Sequence, residues 1–209
     1  MKKVLFSLVT VASLLSANGG GCTLVQSNDM NVTWKAYKTL AKIGVGGAFT
    51  GVTYKANQKE GKNFKALLVG STVSIDLSKI DTKNAGRDKT LIENFFGKLT
   101  TKTIDGKIIS IKADPKKDGK TVYHGTVDVN ITMNSQSVVI PMRYNYKNEN
   151  FKAKGTIDLF DFSANEALKS INKSCFSLHK GKTWNDISIE FSTTIKATLC
   201  NTEVNATKK

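Results

Sequence analysis

Histidine, proline and cysteine are all scarce in this sequence of 209 residues, which contains two, two and three of them respectively. His124 occupies the face of a predicted strand that is expected to be exposed, and His179 lies in the basic segment HKGK. Neither has the spacing of a metal site or of a nucleophile elbow, so both are interpreted as surface histidines. Most carboxylates fall in predicted turns or on polar strand faces. We therefore predict no catalytic residue, no metal site and no cofactor, and we do not expect an enzyme.

A second long apolar run is also missing. The one such run occupies residues 4–15, follows two lysines and precedes a serine and an alanine. About a dozen apolar residues are too few to span a bilayer as a helix, whereas this arrangement is typical of a secretory signal. We predict that residues 1–17 form a cleaved signal peptide and that the protein is periplasmic. Residues 18–209 are predicted to form one domain.

Acidic residues are outnumbered by basic ones, 17 to 31, which gives a formal net charge of +14. Nucleic acid is a common partner for such a charge. Secretion, together with the lack of a recognition helix, a stacking-aromatic repeat or an arginine cluster, argues against it. An anionic membrane surface is the better candidate, because each lysine near such a surface gains about 1 kcal/mol. The basic residues are spread along the chain, so plain solubility is the other interpretation.

Alternation of apolar and polar residues dominates the rest of the chain. In the segment 120–133, for example, Val127, Val129 and Ile131 share one face and the intervening polar residues take the other. Such alternation is typical of strands with one buried face. The predicted strands are 24–38, 48–58, 64–77, 102–114, 120–133, 137–148, 151–162 and 184–199, with hairpin-like connections at 134–135 and 147–150. Eight antiparallel strands joined by short turns predict a mainly β fold, an up-and-down barrel without exposed edges.

The segment 73–96 breaks this pattern. A strand with alternating apolar residues ends in a polar cluster, whose side chains bond their own backbone. An amphipathic helix follows, with apolar and polar side chains on opposite sides. Its apolar side carries Leu91, Ile92, Phe95 and Phe96, and its polar side carries Arg87, Asp88 and Glu93. We predict one or two short helices at the ends of the barrel, this one forming a lid.

Three cysteines in an oxidising compartment predict one disulfide and one free thiol. In an eight-stranded meander the first and last strands are neighbours, so Cys22 and Cys200 are predicted to form the disulfide. A bridge between Cys175 and Cys200 is the alternative if the end of the chain folds back. A lipid anchor on Cys22 is a further alternative, although three glycines stand where a lipobox needs an aliphatic residue.

The barrel interior admits two interpretations. An eight-stranded barrel is just wide enough to be filled by its own side chains or to hold one slender ligand. Large residues and glycines alternate at the inward positions, with Gly70, Gly125 and Gly155 among the latter. A filled interior indicates a structural or stress-protective protein without a ligand. A hollow interior indicates a binding protein.

Six segments resemble the YceI-like family of secreted bacterial lipocalin-like barrels, which bind polyisoprenoids and other long-chain amphiphiles. They are NVTWKAYK, VGGAF, IDTKNAGRDKTLIENFF, GTVDVNIT, GTIDLFDF and WNDISIEF, and the resemblance covers most of residues 30–198. It implies a carrier of an isoprenoid, a quinone or a fatty acid or amide, and it leaves a homodimer open. The residues then expected along the ligand are Trp34, Phe49, Val69, Phe95, Phe96, Ile131, Tyr144 and Phe191.

The resemblance also implies roles at the barrel mouth. A set of polar residues is expected to hold the helix against the barrel through charge-assisted hydrogen bonds. These residues are Asp81, Thr82, Asn84, Arg87 and Asp88. The chain departs from the family at two positions that are often histidine, which are Lys38 and Thr90 here. A lysine at the first position implies a different or more anionic head group.

Three Asn-x-Thr sequons have an acidic residue two positions before the asparagine, at Asn31, Asn130 and Asn205. The first two lie in predicted strands, where an enzyme has poor access to the backbone. Asn205 lies in the polar tail 201–209, which is expected to be mobile. Asn205 is therefore the candidate glycosylation site, with chance occurrence as the alternative.

Overall fold

The protein folds into one curled antiparallel sheet with short helices at its two ends. The structure, a computed structural model, describes residues 23–27, 29–115 and 123–198. Within these ranges it contains twelve strands, four α-helices and one 3-10 helix. The predicted mainly β, antiparallel barrel fold is confirmed. The number of strands differs from the predicted eight, because bends divide several of the predicted strands.

The elements have the following bounds. The strands are β1 (Thr23–Gln26), β2 (Asn31–Lys38), β3 (Ile43–Phe49), β4 (Val52–Lys55), β5 (Glu60–Gly61), β6 (Thr72–Asp76), β7 (Ile80–Asp81), β8 (Thr103–Ala113), β9 (Tyr123–Met133), β10 (Gln136–Lys147), β11 (Asn150–Asp158) and β12 (Asp186–Thr198). The helices are α1 (Phe64–Leu68), α2 (Ala85–Asn94), the 3-10 helix (Phe96–Lys98), α3 (Asn165–Ser174) and α4 (Phe176–His179).

The sheet curls until its two ends meet at a bent strand. The hydrogen-bonded order runs β4-β6-β8-β9-β10-β11-β12-β2-β3-β7. The order begins at β4 and ends with β3 and β7, and only Thr50 and Gly51 separate β3 from β4 in the chain. The bend is itself bridged, because the Thr50 amide donates to the Lys79 carbonyl and the Asp76 amide donates to the Gly51 carbonyl, both at 2.9 Å. Counting β3 with β4 and β6 with β7 gives an eight-membered ring.

The alternation of residue types places the core inside this ring. Along β9, every second residue from Gly125 to Met133 is buried, and the residues between them are partly exposed. The neighbouring strand β10 has the same pattern, with Ile140, Met142 and Tyr144 buried. The core therefore lies where the period of two predicts it.

Two hairpins are closed by two-residue turns. Asn134 and Ser135 join β9 to β10 with φ angles of 51° and 65°, and Asn148 and Glu149 join β10 to β11 with 50° and 62°. Positive φ at both central residues is typical of type I′ turns, whose twist matches that of the strands. Both turns were predicted from the sequence and are confirmed.

The predicted strand 64–77 is wrong in its first half, which forms α1. The Asn63 side chain accepts a hydrogen bond from the Ala66 amide at 2.9 Å and so caps the helix. The residues Lys65, Ala66 and Leu67 that follow favour a helix. Leu67 and Leu68 are fully buried, so α1 plugs this end of the barrel.

The other end of the barrel carries α2, the 3-10 helix, α3 and α4. The predicted lid helix is confirmed as α2, and Asn84 caps it by accepting from the Arg87 amide at 2.9 Å. The sequence did not predict α3, which buries Ala167, Leu168 and Ile171 and packs against α2. In the part of the chain that the structure describes, none of the helices is long and apolar enough to cross a membrane.

The first and last strands are neighbours, as predicted. Strand β12 pairs with β2 and also with β1, where Thr23 lies opposite Thr198. Cys22, Cys200, Asn205 and the segments 1–17 and 201–209 lie outside the described residues, so the predictions made for them stay predictions. Cys175, the one cysteine that the described ranges contain, is a buried free thiol.

Candidate functional site

Three adjoining cavities run from the α2–α3 end of the barrel into its interior. The mouth cavity, of about 440 Å³, includes Lys38, Arg87 and His179 in its lining. The middle cavity, of about 140 Å³, includes Phe49, Phe95 and Phe96. The inner cavity, of about 80 Å³, includes Met142 and Phe191. Neighbouring cavities share lining residues, so together they form one path along the barrel.

Strand β2 shows the order of the cavities along this path. Its inward residues alternate with outward ones, and each inward residue lies about 6.6 Å further along the strand than the one before it. Val32 lines the inner and middle cavities, Trp34 and Ala36 line the middle and mouth cavities, and Lys38 lines the mouth cavity alone. From Val32 to Lys38 the path is therefore about 20 Å long, and its polarity rises toward the mouth.

The interior part of the path is apolar. Of the residues that line the middle cavity, Thr183 is the only one with a polar side chain other than Trp34. The wall consists mainly of valine, isoleucine and methionine side chains from the strands, of leucine side chains from α2, α3 and the turn after β11, and of Phe95 and Phe96, which follow α2. The rings of Phe96 and Phe49 meet edge to face with centroids 6.0 Å apart. A narrow space with such a wall accepts a hydrocarbon chain and offers little to a polar molecule.

The mouth cavity is polar and positively charged. Lys38 comes from the end of β2, Arg87 and Thr90 from α2, and His179 from α4. The two positions at which the chain departs from the family, Lys38 and Thr90, therefore lie in the same cavity. Among the described residues, no aspartate or glutamate lines it.

The residues that were predicted to brace α2 lie together and are linked by hydrogen bonds. Oδ1 of Asp88 accepts from the amide and from the hydroxyl of buried Thr82, at 3.0 and 2.5 Å. Nε of Arg87 donates to the same Thr82 hydroxyl at 3.1 Å. Asp81 accepts from the Lys83 amide at 2.7 Å and shapes the turn before the Asn84 cap. Arg87 and Asp88 thus meet at Thr82, and the guanidinium also borders the mouth.

Trp34 occupies the junction between the mouth and middle cavities. It lies opposite Gly47 on β3, and a Cβ at Gly47 would come within 2.6 Å of its Cζ2. The missing side chain of Gly47 therefore provides the room for the indole ring. Trp34 is nine-tenths buried, and its Nε1 has no hydrogen-bond partner in the described structure.

The residues predicted along the ligand divide into two groups. Six line the cavities, and they are Trp34, Phe49, Phe95, Phe96, Ile131 and Phe191. Val69 ends α1 and lines none of the three cavities, because the segment that precedes it is helical and not a strand. Tyr144 is buried in the core at the closed end, where its ring stacks on Phe151 with centroids 4.9 Å apart.

Burial shifts the pKa of two groups at the mouth. Burial lowers the pKa of His179, and the charge of Lys38 lowers it further. Burial raises the pKa of the Cys175 thiol, which the charge of Lys38 partly offsets. His179 was predicted to be a surface residue, yet it is half-buried and its Nδ1 lies 3.2 Å from the Thr183 hydroxyl. His124 is exposed, as predicted.

The sequence did not predict the contribution of α3 to the site. Leu168 and Ile171 line the middle cavity, and Ile171 also reaches the mouth. Ala164, Leu168 and Ile171 are spaced four and three residues apart, which is a helical pattern that could have been recognised in the sequence. Among the described residues, no cluster of three or more histidine, cysteine or acidic side chains could hold a metal ion.

Comparisons with known proteins point to one family and one fold. The family model of the YceI-like domain matches residues 24–195. A polyisoprenoid binding domain from Saccharophagus degradans is 12% identical, with a TM-score of 0.52, and the match covers 84% of this chain and 98% of that one. BcnA from Burkholderia cenocepacia is 13% identical, with a TM-score of 0.48 and coverage of 80% and 96%. A search of curated protein sequences found no match.

Proposed function

The chain belongs to the YceI-like family, and we propose that it is a binding protein whose barrel interior holds the hydrocarbon chain of a long amphiphile. The observation that carries this proposal is the path of about 20 Å from Val32 to Lys38, whose interior part is apolar and whose mouth is charged. Isoprenoids, quinones and fatty acids or amides all have a chain suited to it. The polyisoprenoid binding domain from Saccharophagus degradans, which shares the fold, is consistent with this class of ligand.

The energy of such binding comes from removing the chain from water. Each methylene contributes about 0.8 kcal/mol when it is buried in an apolar environment. A dozen methylenes would contribute about 10 kcal/mol on this scale, before the cost of immobilising the ligand is subtracted. Few polar contacts are therefore needed, and the nearly complete lack of polar side chains in the middle cavity suits this mode of binding.

A packed structural protein without a ligand is the alternative function. It predicts that large side chains, such as Trp34 and Phe191, are in contact across a filled barrel. Trp34 lies opposite Ile189, and Phe191 lies opposite Val32, so both belong to the same wall. The space in front of them is occupied by cavities, which favours binding over a purely structural role.

Export to the periplasm is part of the proposal. It rests on the charged start, the apolar run and the small residues of segment 1–17. A protein with a hollow apolar interior could there hold a hydrocarbon chain away from water, without catalysing its conversion. Amino-terminal sequencing of the protein recovered from periplasmic extracts tests this part, and a retained residue 1 would contradict it.

A chain-length series tests binding. Isothermal titration with saturated fatty acids of eight to eighteen carbons is expected to give affinities that rise with length until the path is filled. Ala36→Phe places a ring in the wall shared by the mouth and middle cavities and should abolish binding of the longer acids. Thr33→Phe on the exposed face of β2 is the matched control. The proposal would be contradicted if fatty acids of all lengths bound with equal affinity, or if Ala36→Phe bound the longer acids as tightly as the unaltered protein does.

An anionic membrane is the partner that we propose for the rim of the mouth. Leu40, Phe176 and Leu178 are 87%, 66% and 72% exposed, and Leu178 also lines the mouth cavity. Lys180 follows α4 directly, and the Lys182 ammonium lies 4.3 Å from the Trp184 ring centroid. Apolar side chains beside lysines suit a surface of acidic lipids, from which a ligand could enter the barrel.

Flotation with vesicles tests the rim. The protein is expected to float with phosphatidylglycerol vesicles and to remain in solution with phosphatidylcholine vesicles. The double variant Leu40→Ser/Phe176→Ser should lose most of this association. Val139→Ser, which removes an apolar side chain that is half exposed on β10, should retain it. Association that is equal for both lipids, or equal for both variants, would contradict the proposed partner.

A further inference from the structure

The lining of the mouth cavity has one sign of charge. Lys38 and Arg87 are cations, and His179 is the remaining titratable base. The carboxylate nearest in sequence, Asp88, is turned to Thr82, from which it accepts two hydrogen bonds. No described carboxylate takes part in the lining, so the positive charge in this cavity is not balanced by the protein within it.

Lys38 is the residue best placed to meet a ligand. It is the last residue of β2 and continues the inward series of Trp34 and Ala36. In the described structure no salt bridge involves it, whereas Lys42, four residues later, pairs with Asp186 at 2.8 Å. After the effect of burial, the charge of Lys38 lowers the pKa of both His179 and Cys175, which line the same cavity.

A second, independent observation comes from Trp34. Its indole N–H is buried at the junction of the mouth and middle cavities and lacks an acceptor. A buried donor without a partner costs about 1–3 kcal/mol, and native proteins rarely leave one unpaired. The junction is the level at which the head group of an amphiphile would meet its hydrocarbon chain. An acceptor atom of the head group at this level would satisfy the donor.

We propose that the mouth cavity is a binding site for the oxyanion head group of a single-chain amphiphile, a phosphate or a carboxylate, with Lys38 and Arg87 supplying charge and the Trp34 N–H a hydrogen bond. This inference rests on the proposed function, because the chain must enter the barrel for the head group to reach this place. Arg87 can take part because Nε and Nη2 donate to the hydroxyl and the carbonyl of Thr82, at 3.1 and 3.5 Å, which leaves Nη1 and the second hydrogen of Nη2 for the ligand. Phosphate and carboxylate share the acceptor geometry that such a fork binds.

The test compares head groups on one chain. Isothermal titration is carried out on the mature protein with hexadecyl phosphate, hexadecanoate, hexadecanamide and hexadecanol, below their aggregation concentrations. The two anions are expected to bind at least tenfold more tightly than the amide and the alcohol. The ratio of the affinities for hexadecyl phosphate and hexadecanoate shows which oxyanion the site prefers, and either preference agrees with the proposal.

Three variants make the test specific. Lys38→Gln is expected to weaken the binding of both anions about tenfold and to leave the affinity for hexadecanol unchanged. Lys38→Arg should restore the affinity for the anions. Trp34→Phe keeps an aromatic ring but removes the N–H, so it should weaken the anions several-fold. Lys35→Gln, on the exposed face of the same strand, is the matched control and should change nothing.

The outcomes separate this inference from the function on which it rests. If the alcohol binds as tightly as the anions, or if Lys38→Gln weakens all four probes equally, the oxyanion site is overturned while chain binding stands. If none of the probes binds, both the chain-binding function and the head-group site are overturned.

Discussion

Trp34 and Gly47 face each other on β2 and β3, and the indole ring fills the space that a side chain at Gly47 would need. The ring thereby stands in the wall at the level where the polar mouth becomes an apolar interior. The methyl group of Thr82 borders the same space, 2.9 Å from a Cβ at Gly47. One glycine thus couples the tryptophan to the brace of α2.

Replacing Gly47 tests this coupling. Gly47→Ala is expected to push Trp34 and Thr82 from their places and to lower the free energy of unfolding by about 1–3 kcal/mol, which is typical of overpacking. Urea denaturation measures it. Gly46→Ala on the exposed face of the same strand meets only a backbone oxygen at 3.4 Å and is the control. A Gly47→Ala variant as stable as Gly46→Ala would contradict the role of the glycine.

The brace of α2 gives a second prediction. Asp88→Asn keeps the shape of the side chain but removes the charge that accepts from the Thr82 amide and hydroxyl. We expect a loss of about 1–2 kcal/mol of unfolding free energy, with faster hydrogen exchange in α2. Glu93→Gln changes an exposed carboxylate on the same helix, whose nearest cation is 4.0 Å away, and should have little effect. Equal exchange rates in both variants would argue against the brace.

Much of this arrangement follows from the sequence alone. The period of two on β9 and β12 places the core, and the polar cluster before α2 predicts where the helix begins. The resemblance to the YceI-like family then relates these elements to one another. The helix α1 escapes such reasoning because it depends on contacts that are distant in sequence. Phe64 was assigned to a strand, yet it packs on Tyr146 and Phe151 as part of α1.

The site was predictable where strands alternate and unpredictable where helices close the barrel. Phe191 and Ile131 lie inside because parity fixes their face. Tyr144 has the correct parity, but α1 fills the space beside it, so it lies in the packed end of the barrel. The lack of a hydrogen-bond partner for the Trp34 N–H cannot be inferred from the sequence, because it depends on which acceptors the fold brings near.

The ends of the chain provide a third prediction. Thr23 on β1 pairs with Thr198 on β12. In the chain, Cys22 comes directly before Thr23, and Cys200 comes two residues after Thr198. We expect a disulfide between Cys22 and Cys200, with Cys175 reduced because it is buried. Mapping of peptides without reduction checks the pairing. Closing so long a loop should stabilise the fold by about 5 kcal/mol in the chain-entropy model, and a Cys175–Cys200 peptide would contradict the prediction.

His179 predicts how stability depends on pH. Burial, with the charge of Lys38, holds the pKa of His179 below its usual value near 6.5. The unfolded chain therefore takes up a proton at higher pH than the folded protein does. This contribution to stability is complete above about pH 6.5 and is lost as the pH falls below that value. His179→Gln should be less sensitive to acid in urea titrations between pH 7.5 and 5.5.

A titration followed by nuclear magnetic resonance measures the pKa of His179 directly. The pKa of His179 should rise in Lys38→Gln, because a neighbouring positive charge has been removed. His124→Gln, which changes an exposed histidine, controls for the loss of a histidine and simplifies the spectrum. A pKa of His179 that is unaffected by Lys38→Gln would show that the two side chains do not share the mouth.

Native mass spectrometry of the protein purified from its own cells tests the central claim most directly. Mild ionisation should show the mature chain together with a species heavier by the mass of one long-chain amphiphile, and organic extraction should release that molecule and leave the chain alone. A single species at the mass of the ligand-free chain, which also fails to take up added isoprenoid quinones, fatty acids or fatty amides, would contradict the claim that the barrel holds a hydrocarbon chain.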